Sequence, residues 1–155
     1  WIDLGSGAGF PALVVAILQK HACADQHHHV HLVESNGRKV AFLRAVIREL
    51  ALDATVHSAR IEDFNRWEEI KPDCVSARAL ASLEKLLTLT AHHIGPKTRL
   101  LFHKGRDIDG EIAEAANSFD FEVVRYGENF AEGIHSDGLI LEVHSVKNKP
   151  FKRLK

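Results

Sequence analysis

The run Trp1-Ile2-Asp3-Leu4 leads straight into Gly5-Ser6-Gly7-Ala8-Gly9-Phe10-Pro11, a turn with glycine at every second position. Glycine takes positive φ without a Cβ clash and leaves the backbone bare, so a chain built this way can turn sharply and lie close against a ligand. The apolar stretch from Pro11 to Leu18 reads as the helix that follows, which makes the unit strand, glycine loop, helix. The spacing is G-x-G-x-G, not the G-x-G-x-x-G of dinucleotide binding, and Asp3 stands two residues before the first glycine. That departure points away from NAD and toward S-adenosylmethionine.

A second strand, Val30-His31-Leu32-Val33-Glu34, ends in a carboxylate 25 positions after Gly9, near the spacing of about 20 expected of a ribose-binding acid. Glu34 is thus a candidate acceptor for both ribose hydroxyls, and a cap on the helix beginning near Gly37 is a compatible second role. Along the chain the periodicity predicts strands over 1–4, 30–34, 54–58, 73–77, 98–103, 121–126 and 138–146. Helices are predicted over 10–20, 37–51, 82–93 and 108–118. Alternating βα units imply a mostly parallel sheet with helices on both faces, and the two closing strands imply an antiparallel hairpin at one edge. This is the seven-stranded Rossmann-like architecture of a class I S-adenosylmethionine-dependent methyltransferase. The strand ends near residues 5, 34, 61 and 78 converge on one carboxyl edge, where open α/β sheets bind ligands. In Ser58-Ala59-Arg60-Ile61-Glu62-Asp63, which follows the third strand, an apolar residue and an acid suit an adenine, one against its face and the other accepting from its amine.

The length and 45% hydrophobic content support one core, so residues 1–155 are read as a single domain. The chain has no methionine and opens inside a strand, so more chain is expected before Trp1. Two cysteines, Cys23 and Cys74, make no disulfide framework or metal spacing, and no membrane span or secretory leader is recognisable, which together suggest the cytoplasm. The cluster His27-His28-His29, with His21 and His31 nearby, lacks the i, i+4 spacing of a helical metal site, and no metal is expected. Net charge is −1, but residues 147–155 hold five basic residues and no acidic one. The rest of the chain has 15 basic against 21 acidic residues, a net of −6. Lys147, Lys149, Lys152, Arg153 and Lys155 are therefore candidate phosphate contacts, as are Arg38 and Lys39 on the second helix and Lys104 and Arg106 after the fifth strand.

The phrases from Asp3 to Pro11, Glu34 to Leu43 and Ser76-Ala77-Arg78-Ala79-Leu80-Ala81-Ser82-Leu83, with Lys104-Gly105, resemble the bacterial small-subunit ribosomal RNA guanine-N7 methyltransferase family, also called the glucose-inhibited division protein B family. The resemblance covers essentially the whole chain, and the Ser-Ala-Arg-Ala phrase is its most specific part. It implies transfer of a methyl group from S-adenosylmethionine to N7 of a guanine in 16S ribosomal RNA, free or in a small-subunit precursor. It places cofactor contacts on Gly5, Phe10, Ile61, Glu62 and Arg78. It also implies a helical segment before the first strand, which this sequence lacks, and Glu34 stands where many members carry Asp. The chemistry agrees: guanine N7 has a free lone pair, so in-line attack on the sulfonium methyl needs positioning and no general base. The other readings are a non-catalytic module binding a nucleotide and RNA, a class I methyltransferase with a different substrate, and a dehydrogenase, which the glycine spacing and closing hairpin disfavour.

Overall fold

The computed structural model describes residues 1–22, 28–105, 108–127 and 138–150. Seven strands form one sheet: β1 (Ile2–Leu4), β2 (Val30–Glu34), β3 (Ala54–Ser58), β4 (Cys74–Arg78), β5 (Arg99–Lys104), β6 (Phe119–Tyr126) and β7 (Leu139–Asn148). Their order is β3-β2-β1-β4-β5-β7-β6. The first five are parallel, and β7 runs antiparallel to both β5 and β6, so the expected closing hairpin lies at the sheet edge with β7 inside it. The helices are α1 (Ala12–Ala22), α2 (Gly37–Glu49), α3 (Trp67–Ile70), α4 (Leu83–Thr90) and α5 (Ile108–Ser118), with a 3-10 turn at Ile61–Asp63.

The alternation of side chains along each strand separates two hydrophobic cores, one on each face of the sheet. Ile2, Leu4, Val75, Leu100 and Phe102 share one with Leu83, Leu86 and Leu87 of α4 and Ile108 and Ala115 of α5. Val30 and Leu32 share the other with Ala12, Leu13 and Ala16 of α1 and Val40 and Leu43 of α2. The strand order reverses between β1 and β4: the chain leaves β1 toward β2 on one side and returns at β4 on the other. A crevice opens at such a reversal, beyond the carboxyl ends of the strands. A partly buried chain of hydrogen bonds ties its two sides below, as Trp1 Nε1 donates to Ser76 Oγ (2.8 Å) and Ser76 Oγ to Asp3 Oδ1 (2.5 Å).

Candidate functional site

The glycine loop forms one wall of the crevice. Gly5, Gly7 and Gly9 have φ of 65°, 57° and 93°, so all three turn through the left-handed region. Two of them have little room for a side chain as well. A Cβ at Gly9 would lie 2.3 Å from Leu13 Cδ1 and 3.0 Å from Leu43 Cδ2, inside the packing of α1 and α2. One at Gly5 would lie 2.8 Å from Leu80 Cδ1, which reaches across from the loop after β4.

Glu34 closes the loop from the β2 side. Its carboxylate is 7% exposed and accepts from Gly7 N at 2.9 Å through Oε2 and from Asn36 N at 2.7 Å through Oε1. The helix cap considered for Glu34 belongs to Asn36, whose Oδ1 accepts from Arg38 N (3.0 Å) and Lys39 N (3.2 Å). Glu34 instead joins the loop after β1 to the turn after β2, with one carboxylate oxygen on each.

Gly5, Glu34, Lys39, Ile61, Glu62 and Arg78 line one cavity of about 440 Å³ at the carboxyl edge. Five of the six candidate cofactor residues are thus brought together. Phe10 does not line this cavity and is 55% exposed just before α1. Sequence reasoning missed the loop Ala79-Leu80-Ala81 as a wall of this cavity. No sequence signal marks it: Ala79 adopts φ 49°, an uncommon conformation for a residue with a Cβ that the sequence does not announce.

The basic residues separate into three groups. Arg38 and Lys39 are exposed at the start of α2. Lys104 is not a surface cation: its side chain is 5% exposed, and Nζ donates to Ala81 O and Glu111 Oε2, each at 2.6 Å. The expected phosphate contact there is corrected to an internal brace, because Lys104 follows Leu100 and Phe102 on the core-facing side of β5. Lys147 is exposed, while Lys149 Nζ is held by Ala116 O at 2.5 Å and lies 3.4 Å from Asp120. Both lie at the amino edge of the sheet, because β7 runs down from Leu139 beside Lys104 to Asn148 beside Phe119. Arg106, Lys152, Arg153 and Lys155 lie outside the described residues. Among the described residues no group of three metal-ligating side chains converges, and no helix is long and apolar enough to cross a membrane.

Against known proteins, the family model described as GidB, rRNA small subunit methyltransferase G, matches residues 1–132. Ribosomal RNA small subunit methyltransferase G of Bartonella quintana (strain Toulouse) is 45% identical over 149 residues, 96% of this chain and 65% of that protein. The protein of the same name from Rhizobium rhizogenes is 42% identical over 158 residues, 99% of this chain and 70% of that protein. The chain thus spans less than two thirds of the length of the Bartonella relative. In fold it is similar to an rRNA methylase from Streptococcus thermophilus, with TM-score 0.63 and 11% identity over 92% of this chain and 84% of that one. It is likewise similar to P. horikoshii TYW2 in complex with MeSAdo, with TM-score 0.63 and 12% identity over 94% of this chain and 55% of that one.

Proposed function

Because the chain belongs to the rRNA small subunit methyltransferase G family, we propose that it binds S-adenosylmethionine at the β1/β4 crevice and transfers its methyl group to N7 of a guanine in 16S ribosomal RNA. The observation that carries the reading is the buried Glu34 carboxylate, held between the glycine loop and α2 on the wall of the crevice cavity. Each of its oxygens keeps lone-pair capacity beyond its one backbone donor, so a ribose diol can add its hydroxyls there. Ile61 and Glu62 lie on the same wall, suited to the adenine face and amine, and Arg78 stands across the crevice at the end of β4.

The step transfers CH3 and moves no proton. The N7 lone pair forms the new N–C bond as the C–S bond breaks, its electron pair stays on sulfur, and the positive charge passes from the sulfonium to the methylated base. The protein's part is to align donor and acceptor in a crevice of fixed shape. RNA, naked or in a small-subunit precursor, would approach over the carboxyl edge, where Arg38 and Lys39 are exposed. Calorimetry with S-adenosylhomocysteine, followed by tritiated methyl transfer to 16S rRNA, tests the reading. Binding with label on RNA supports it, binding without transfer favours a non-catalytic module, and no binding refutes it.

A further inference from the structure

Beside the crevice cavity lies a second, of about 480 Å³, walled by Arg78, Ala79, His103, Gly105, Leu139 and Ile140. Arg78 and Ala79 belong to both walls, so a molecule seated in one cavity abuts a molecule seated in the other across a single loop. The volume falls within the roughly 300–1,000 Å³ of small-molecule sites. Ala79, Leu139 and Ile140 offer apolar surface to a ring. Its polar side chains are the Arg78 guanidinium, the His103 imidazole and Lys104, whose ammonium is taken up by Ala81 O and Glu111, and no carboxylate lines the cavity among the described residues.

We propose that this second cavity receives the target guanine and that His103 donates a hydrogen bond to its O6, a specificity-determining role for a residue with no assigned part. The proposal rests on the methyl-transfer reading above. Guanine presents N7 and O6 as acceptors on one edge, whereas adenine carries a donor amine in place of O6. N7 must face the sulfonium methyl, so the usual bidentate grip of an arginine on N7 and O6 is closed, and O6 remains as the atom that separates the two purines. Arg78 beside it can only donate, so adenine would bring a donor against a donor. His103 is half-buried on β5, in register with Arg78 on β4 and Ile140 on β7.

Burial, then the neighbouring Arg78, lower the His103 pKa below the usual 6.5, so the ring is neutral at pH 7. Of the other ionisable groups on the packed strands, Lys104 is held by Glu111 and Arg99 by Glu142, which also accepts from Tyr126 and lies 3.7 Å from His144, while Lys147 is exposed at the opposite end of β7. A neutral donor can hold O6 without opposing the positive charge as it passes from the cofactor to the methylated base, whereas a protonated one would set a further positive charge beside it and Arg78.

The test measures methyl transfer to 16S rRNA by His103→Phe and His103→Gln. His103→Phe is expected to lower kcat/KM for RNA about tenfold, the scale of one hydrogen bond, with affinity for S-adenosylhomocysteine within about twofold of wild type. His103→Gln, which keeps a donor, should recover part of the rate. The wild-type acid limb, falling as His103 protonates below pH 6.5, should vanish in His103→Phe. An unchanged kcat/KM and acid limb in that variant overturns the proposal and leaves the methyl-transfer reading intact. If the wild type transfers no methyl group, that reading fails, and imidazole NMR of the chain saturated with S-adenosylhomocysteine decides the pocket. Guanosine monophosphate shifting the His103 ring while adenosine monophosphate does not supports the assignment, and no shift with either overturns it.

Discussion

At the scale of single residues, Glu34 joins structure and function in one carboxylate. Its two backbone donors come from different elements, so removing it leaves the amides of Gly7 and Asn36 without their acceptor. Glu34→Ala should lower both stability and cofactor affinity, the latter by about 1.5–3 kcal/mol, the range for hydrogen bonds to a charged group. Thermal melts and calorimetry check this, and a variant that melts lower but binds as before would remove Glu34 from the ribose role. Asp3 behaves differently. It is 1% exposed, and burial raises its pKa from 3.8 to about 6 even though Ser76 donates to one of its oxygens. Between about pH 4 and 6 the folded chain therefore holds a proton the unfolded chain has released, and Asp3's contribution to stability falls as pH rises through that window. Asp3→Asn keeps an oxygen for Ser76 and removes the ionisation. Its stability relative to wild type should thus rise by about 2–3 kcal/mol between pH 4 and 7. Equal differences in denaturant unfolding at the two pH values would contradict the assignment.

At the scale of elements, Lys104 links the end of β5 to α5 through Glu111 and to the loop before α4 through Ala81 O, while the same Glu111 oxygen accepts from Leu83 N at the start of α4. Lys104→Met should cost about 1–3 kcal/mol of stability, moderated because Glu111 is partly exposed. It should leave the salt dependence of RNA binding unchanged, and a flatter slope would return Lys104 to the phosphate contacts. The sequence made Lys104 look like a surface cation because charge outweighs position when a strand end is read alone. Its two-residue spacing from Phe102 was the signal that it faces inward. Elements with a full period were legible, and β2, β3 and α5 fall on residues 30–34, 54–58 and 108–118 as expected. The single turn α3 was not, because four residues carry no period; it is held by burial of Trp67, stacked on His93 at 5.0 Å. β6 begins earlier than expected, at Phe119, because Asn148 pairs with it, a constraint set by a residue 29 positions away. The cavity wall at Ile61, Glu62 and Arg78 was legible from strand ends, whereas His103 depends on β7 lying beside β5, which no local pattern records.

At the scale of the whole molecule, the long descent of β7 separates Lys147 and Lys149 from the crevice. Eight and ten residues beyond Leu139 at about 3.4 Å each, Lys147 and Lys149 stand roughly 27 and 34 Å along the chain from the carboxyl edge. RNA bound at both places would have to cross the β6–β7 side of the sheet. Deleting residues 147–155 should flatten the salt dependence of RNA binding by about 0.7–0.9 in log-log slope per lost phosphate contact and leave cofactor affinity unchanged. An unaltered slope in filter binding would make the tail a solvated terminus. Methylation of guanine N7 in 16S rRNA can be read out by mass mapping of that RNA from cells with and without the gene. One 7-methylguanine should be lost with the gene, regained with the wild-type gene and reduced with Glu34→Ala. An identical set of methylated guanines in both strains would contradict it.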